Sequence, residues 1–230
     1  MDITIFMVTV GEPVTFEALE SIKMYADNKR YKIMIWYDAC GRGVNLDFYN
    51  RLKEYTDDVI LSTQNQGLPK IFGYAMLYTD TPYLFLTGSD TVFNPNFLSD
   101  MLEPFSTMDN VGVVGECGRD LPDKYTVCKN EDIIPDLAIL IKKKVINEVG
   151  ATSPSFKLYG QEFSEWCNRV IADGRWQVIS CTGTGLHKDD PSDGKAKIED
   201  LIDVYGLNVG LVLRLKDKGY KGYDWWSNDL

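Results

Sequence analysis

The stretch YLFLTGSDTVFNP, residues 83–95, decides how this chain folds. Its first four residues are apolar and indicate a strand that is buried on both faces. The turn-prone residues Gly88 and Ser89 come next, and a single carboxylate, Asp90, follows them. Open α/β sheets bind their ligands beyond the carboxyl ends of the strands. Asp90 is therefore either part of a ligand or metal site or an ordinary turn or helix cap.

Similar apolar runs recur along the chain, with helical patterns between them. The predicted strands cover residues 3–10, 31–37, 59–61, 83–86, 111–114, 137–141 and 177–181. This alternation is typical of βαβ units, so the sequence predicts an α/β fold whose mostly parallel sheet is flanked by helices. Residues 115–131 and 182–190 are polar and rich in turn formers, and we expect loops there. A single domain is predicted over residues 1–191, and a helical C-terminal extension over residues 192–230.

One predicted helix is strongly amphipathic. It follows Gly160 and ends at Gly174, and it places apolar side chains along one face. The polar face carries Glu162, Glu165 and Arg169, the last two at the i,i+4 spacing of a helical ion pair. The sequence therefore predicts an ion pair between Glu165 and Arg169 on this polar face.

The composition limits the partners of this protein. The formal net charge is −10 and 44% of the residues are hydrophobic, which argues against nucleic acid or an anionic membrane as the main partner. An anionic ligand would need a cation between itself and an acidic pocket. The five cysteines form no CxxC pair, and the N-terminus lacks a basic segment. No apolar run approaches the roughly 20 residues of a transmembrane helix, so we expect a cytoplasmic protein.

A few acids at strand ends or helix starts, and the single histidine, could carry chemistry. They are Asp38, Asp90, Glu162, His187 and either Asp189 or Asp190. Each also has an ordinary interpretation: a turn acid, a helix cap, an acid near a helix dipole or a surface histidine. Together they suit Mn²⁺ or Mg²⁺ bridging to a diphosphate, because such cations accept oxygen and imidazole ligands.

The chain resembles the inverting family 2 glycosyltransferases, which have the GT-A fold. The resemblance covers about residues 3–187 and rests on short motifs in a fixed order. These are Thr9-Val10-Gly11-Glu12 after the first strand, Asp38 ending the second, Asn65-x-Gly67, Thr87-Gly88-Ser89-Asp90 in place of an Asp-x-Asp segment, Gly160-Gln161-Glu162 with Arg169 seven residues on, and His187. The Gly160 segment is also similar to the Gly-Gly-Glu helix of polypeptide GalNAc-transferases and β-1,4-galactosyltransferases.

The resemblance implies a role for each matched residue. The nucleotide contacts would be Thr9, Val10, Glu12, Asp38, Asn65, Gly67, Lys70, Ser89 and Asp90. Asp90 and His187 would hold Mn²⁺ or Mg²⁺, and Glu162 would be the catalytic base for an attacking hydroxyl. Lys70 would reach a phosphate, although a solvated lysine at a helix start explains it equally well.

Two positions depart from the family pattern. Gly88 stands where the first acid of Asp-x-Asp is expected, and Phe163 stands at the position of the usual base. Glu162 would then be a base displaced by one residue, about 100° around the helix, or a contact to the acceptor sugar. We favour inversion of the anomeric centre, while a retaining enzyme would need no such base.

The sequence thus predicts a metal-dependent glycosyltransferase that moves a hexose from a UDP-sugar or another nucleotide sugar to a hydroxyl of a glycan or glycoconjugate. The nucleotide-binding half would cover residues 1–95 and the acceptor half residues 96–191. The extension would cover the acceptor side or mediate self-association. A nucleotide-sugar-binding module with weakened catalysis is the main alternative. A sugar nucleotidyltransferase is a further one, but the turn after the first strand lacks the Gly-rich, basic loop of that class.

Overall fold

The computed structural model describes residues 2–26, 30–39, 43–116, 121–129, 138–156 and 162–188. Within these ranges the strands are β1 (Ile3–Thr9), β2 (Tyr31–Asp38), β3 (Val59–Ser62), β4 (Tyr83–Gly88), β5 (Thr91–Phe93), β6 (Val111–Glu116), β7 (Tyr125–Val127), β8 (Ala138–Lys142), β9 (Gln177–Cys181) and β10 (Gly185–His187). The helices are α1 (Val14–Tyr25), α2 (Leu46–Leu52), α3 (Leu68–Tyr78), α4 (Phe97–Leu102), α5 (Pro104–Thr107), α6 (Lys143–Val149) and α7 (Glu162–Asp173). The predicted extension at residues 192–230 lies outside these ranges.

The main sheet has eight strands among the described residues, in the order β3-β2-β1-β4-β8-β6-β9-β7. Strands β3, β2, β1 and β4 are parallel neighbours, and β6 is parallel to β9. β8 is antiparallel to both β4 and β6, and β7 is antiparallel to β9. The predicted mostly parallel sheet is therefore confirmed, with two strands running against the others.

Two hydrophobic clusters cover the two faces of the sheet. Along β1, Ile5 and Met7 belong to one cluster with α1, α2 and α4, whereas Phe6 and Val8 belong to the other with α3, α6 and α7. This division follows from the alternation of side chains along a strand. Because both faces are buried, the strands read as continuous apolar runs in the sequence.

The structure adds two elements that the sequence did not predict. β7 lies inside the polar segment expected to be a loop, where it forms one edge of the main sheet. β5 and β10 pair antiparallel as a separate two-stranded sheet, called the ribbon below. These three strands have three residues each, too few for an alternation to stand out from their polar surroundings.

No helix in the described ranges is both long and apolar enough to cross a membrane.

Candidate functional site

The carboxyl ends of the parallel strands bring most of the predicted site residues to one edge of the sheet. Thr9 of β1 pairs in register with Tyr37, directly before Asp38 at the end of β2. Gly88, the last residue of β4, pairs with Val8 on the other side of β1. Thr9, Asp38 and the Gly88–Asp90 turn therefore lie on three neighbouring strand ends.

The turn after β1 is organised around the Glu12 carboxylate. Its Oε2 accepts hydrogen bonds from the Thr9 hydroxyl, the Val10 backbone N–H and the Ser89 hydroxyl, each at 3.1 Å. Thr9 is buried and also bonds to the Thr15 hydroxyl at 2.8 Å. The bond to Ser89 ties the turn after β1 to the turn after β4. Predicted nucleotide contacts at 9, 10, 12 and 89 thus form one internal network.

Asp38 holds a second loop in place. The side chain is only 2% exposed, and its Oδ2 accepts a hydrogen bond of 3.0 Å from the backbone N–H of Gln66. In the same loop Asn65 Oδ1 accepts a 3.0 Å bond from the N–H of Gly67. Gly67 has φ 76°, a conformation that glycine adopts without steric cost. This loop leads into α3, where Lys70 is exposed in the first turn.

A shallow groove of about 330 Å³ adjoins this loop at the open edge of the sheet, beside β3. Its lining residues are Trp36, Ile60, Leu61, Ser62, Thr63, Gln64 and Gln66. Gln66 lines the groove, and its backbone N–H donates a hydrogen bond to Asp38. The groove therefore adjoins the end of β2, which carries Asp38, a predicted contact to the nucleotide.

The ribbon brings the backbones of Asp90 and His187 together. His187 of β10 pairs with Thr91 of β5, the residue that follows Asp90. The next residue, Lys188, donates its backbone N–H to the carbonyl oxygen of Asp90 at 2.7 Å. The side chain of His187 is outside the described part of the structure. Within that part, no three His, Cys, Asp or Glu side chains converge as a metal cluster.

Asp90 is not the cap of the helix that follows. α4 begins at Phe97, and its N-cap position is Asn96, which has a left-handed backbone conformation and makes no side-chain capping bond. Five residues, three of which form the strand β5, separate Asp90 from that position. The ordinary interpretation of Asp90 as a cap for this helix is therefore wrong.

Glu116, which the sequence did not indicate as a site residue, holds the ribbon in place through Thr184. It ends β6, is 2% exposed, and accepts at Oε2 from the Thr184 backbone N–H at 2.8 Å and the Thr184 hydroxyl at 2.7 Å. Asn94 adds a side-chain bond to the Gly183 carbonyl and a backbone bond to that of Thr184, both 2.9 Å. The signal for Glu116 was a charge that ends an otherwise apolar run, Val111-Gly112-Val113-Val114-Gly115.

Two charged residues on the polar face of α7 are buried. Glu165 and Arg169 are each only 8% exposed, and Arg169 Nε donates to Glu165 Oε1 at 2.6 Å. Arg169 also donates to the carbonyls of Val149 at 2.9 Å and Ala151 at 2.8 Å. The ion pair expected from the i,i+4 spacing is therefore present, and it is buried because it fastens α7 to the chain that leaves α6.

Burial also changes the ionisation of Glu165. It raises the pKa of the Glu165 carboxyl, and the neighbouring Arg169 guanidinium offsets only part of that rise. Within the described residues, Glu165 Oε2 has no hydrogen-bond partner. The carboxyl is therefore more easily protonated than an exposed glutamate.

The structure describes to different extents the two positions at the start of α7 that the family resemblance links to a catalytic base. Phe163, at the position of the family's usual base, packs its ring against Phe72 of α3 with centroids 4.9 Å apart. Glu162 is the first residue of α7, and its side chain lies outside the described part. The predicted base role of Glu162 stays a prediction.

The sequence itself matches no family model, and no curated protein matches it either. Solved structures nevertheless share its fold. Glucosyl-3-phosphoglycerate synthase from Mycobacterium tuberculosis, solved with Mg²⁺ and UDP, is 13% identical with a TM-score of 0.64, over 95% of this chain and 80% of that one.

Two further structures extend this likeness. The mannosyltransferase PcManGT from Pyrobaculum calidifontis, solved with GDP-Man and Mn²⁺, is 14% identical with a TM-score of 0.59, over 79% of this chain and 56% of that one. Residues 1–349 of S. aureus TarS are 15% identical with a TM-score of 0.60, over 90% and 64% respectively. The present chain thus spans less than two thirds of these two proteins. At such identity the likeness concerns the fold, and the chain has the GT-A fold that these nucleotide-sugar glycosyltransferases share.

Proposed function

We propose that this protein is a metal-dependent glycosyltransferase that moves a hexose from a nucleotide sugar, with UDP-sugars as the first candidates, to a hydroxyl of a glycan or glycoconjugate. The observation that carries the proposal is the pairing of β10 with β5, because it brings the backbone of His187 beside Asp90 at the sheet edge that also holds Asp38. Ligand sites of open α/β sheets lie at this edge. The GDP-Man bound by one structural neighbour and the UDP bound by another support the substrate class.

The nucleotide would lie along the ends of β1, β2 and β4. Asp38 would accept from the base once the local contacts around it rearrange, since its Oδ2 now accepts from Gln66. The turn at residues 9–12 and the loop with Asn65 and Gly67 would shape the pocket through their backbones, because their side chains bond within the protein. Lys70, exposed at the start of α3, is free to extend toward a phosphate.

The residues present fit a divalent cation. Asp90 provides a partly exposed carboxylate, and the ribbon places a histidine backbone next to it. Mg²⁺ in nucleotide sites is commonly held by one or two carboxylates plus substrate phosphates, so Asp90 is a sufficient carboxylate, and His187 would be an additional ligand. When bound, Mn²⁺ or Mg²⁺ would neutralise charge on the departing diphosphate.

On the acceptor side, Glu162 would take the proton of the attacking hydroxyl. Its place at the first position of α7 favours the ionised carboxylate that a general base requires. This assignment goes with inversion of the anomeric centre. The contact of Phe163 with Phe72 favours the second candidate, a nucleotide-sugar-binding module, since the usual base position is used for packing.

The division of the chain belongs to the same proposal. The nucleotide-binding half would be residues 1–95, the acceptor half residues 96–191, and residues 192–230 would cover the acceptor or join two copies. We propose a cytoplasmic location, with which the buried free thiol of Cys167 agrees.

Hydrolysis and transfer of UDP-glucose, UDP-GlcNAc and GDP-mannose, each with and without Mn²⁺, would test the proposal. We expect turnover only with the cation, and Asp90→Asn should lower it about 100-fold or more, in the range seen when one charge-stabilising group is lost. The matched control is Asp80→Asn, because Asp80 lies before β4 at the opposite sheet edge, exposed and paired with Lys32.

Three results are decisive. Metal-dependent binding without turnover would favour the binding module. Turnover that is unaffected by Asp90→Asn would remove Asp90 from the site. If no nucleotide sugar binds or reacts in the presence of Mn²⁺, the proposal is wrong.

A further inference from the structure

We propose that Gly88 is a positioning residue for Asp90, so that the missing side chain at residue 88 is what allows the Asp90 carboxylate to reach its place. This inference rests on the proposed function, in which that carboxylate holds a divalent cation. An ideal Cβ at Gly88 would lie 2.8 Å from Asp90 Oδ1 and 3.8 Å from its Cγ. The carboxylate therefore occupies the space that a side chain at residue 88 would fill.

The backbone does not explain why glycine stands here. Gly88 is absent from the residues with positive φ, and it pairs in register with Val8 as the last residue of β4. Glycine weakens a strand because it loses more conformational freedom on folding than other residues. A glycine in a strand often marks a close approach of another group, and the described group closest to the ideal Cβ is the Asp90 carboxylate.

The turn around Gly88 is held on both sides, so the side chain of Asp90 is the part that would yield. The Ser89 hydroxyl bonds to Glu12 at 3.1 Å, and the Lys188 N–H bonds to the Asp90 carbonyl oxygen at 2.7 Å. A Cβ at residue 88 would therefore rotate the carboxylate away rather than shift the turn. Such a rotation moves a proposed metal ligand.

Two explanations of Gly88 predict opposite effects of substitutions on Mn²⁺ affinity. If Gly88 only marks a missing first carboxylate of Asp-x-Asp, then Gly88→Asp should add a ligand and tighten Mn²⁺ binding. If Gly88 makes room for Asp90, both Gly88→Ala and Gly88→Asp should weaken it. In the second case the site depends on both residues, because Gly88 leaves the space that the Asp90 carboxylate occupies.

The experiment measures bound Mn²⁺ by electron paramagnetic resonance at saturating UDP for the wild type, G88A, G88D and D90N. We expect Mn²⁺ affinity to fall about 10-fold in G88A, the low end of the losses seen when residues that orient metal ligands are changed, and at least as far in G88D. Thermal unfolding of G88A should be unchanged or shifted upward, since alanine suits a strand better than glycine.

A crystal structure of G88A adds a readout that does not depend on the metal. Oδ1 of Asp90 should move by at least about 0.6 Å, because ordinary contact with a Cβ starts near 3.4 Å. Tighter Mn²⁺ binding by G88D, wild-type affinity in G88A, or an unmoved Asp90 carboxylate would each overturn the inference alone. A wild type that binds no Mn²⁺ with UDP would overturn both the proposed function and this inference.

Discussion

The two sides of the candidate site are held together in different ways. On one side, the turn region (residues 9–15 and 64–67) is closed by bonds between close neighbours, such as Val10 to Glu12 and Gly67 to Asn65, each two residues apart. On the other side, the ribbon is held by Glu116 to Thr184 and Asn94 to Gly183, which are 68 and 89 residues apart. The turn region is closed largely by local bonds, with longer-range links from Ser89 to Glu12 and from Gln66 to Asp38, whereas the ribbon exists only when the sheet is assembled.

This difference has a physical consequence for the site. A local turn closes a short loop at small entropic cost, whereas a long-range contact forms only after most of the chain is ordered. The proposed ligands Asp90 and His187 belong to the ribbon side. We therefore expect their juxtaposition to depend on buried anchors outside the site, above all on Glu116.

The largest expected effect comes from breaking the ribbon side with Glu116→Ala. The substitution leaves the N–H and hydroxyl of Thr184 without their carboxylate partner, and buried unpaired donors cost about 1–3 kcal/mol each. We expect the free energy of unfolding to fall by about 3 kcal/mol in urea denaturation, together with weaker Mn²⁺ binding.

Two comparisons sharpen this prediction. Thr184→Val removes only the hydroxyl, so it should cost less than Glu116→Ala, and the double variant should cost less than the sum of the two. Glu103→Ala is the control, since Glu103 is an exposed acid paired with Lys124, and it should change stability little. If Glu116→Ala behaves like Glu103→Ala, the ribbon does not depend on Glu116.

A smaller effect is expected from breaking the turn region with Glu12→Ala. Three hydrogen bonds to Glu12 Oε2 are lost, but the turn is partly exposed and water can replace them. We expect a loss of about 1–2 kcal/mol in the free energy of unfolding and a raised KM for the nucleotide sugar. Ser89→Ala, which loses one of the three bonds, should cost less. A loss larger than that of Glu116→Ala would reverse the ranking of the two sides.

The smallest effect concerns the pH dependence of stability through Glu165, outside both regions. Burial raises the pKa of this carboxyl above its ordinary value of 4.5, so the folded state binds its proton more tightly than the unfolded state. Stability from this group is greatest below pH 4.5 and declines as pH rises toward the folded pKa.

Glu165→Gln removes this titration while keeping the side chain's size. The free energy of unfolding of the wild type relative to E165Q, measured by urea denaturation from pH 4 to about pH 8, should therefore slope downward with rising pH. An upward slope would mean that the Arg169 ion pair, and not burial, dominates the pKa of Glu165.

Part of the candidate site was readable from the sequence because strand ends are visible in it. Asp38 and Asp90 each follow an apolar run, and the parallel order of those runs predicts that their ends meet at one edge. The burial of Glu165 and Arg169 could not be predicted, since the helical period assigns a side chain to a face but does not say that the chain after α6 covers that face. Glu116 was missed because its partner, Thr184, comes much later in the chain.

The sequence by itself determined the α/β class, the succession of buried strands, and the placing of Asp38 and Asp90 at strand ends, because these depend on hydrophobic periods and on turn residues within a few positions. Only the tertiary structure decided that β8 runs against β4 and β6, that β5 pairs with β10, and that Asp90 lies over Gly88. Strand direction, long-range pairing and close atomic approach are set by packing across the whole domain. A local pattern carries no information about which distant segment will arrive beside it.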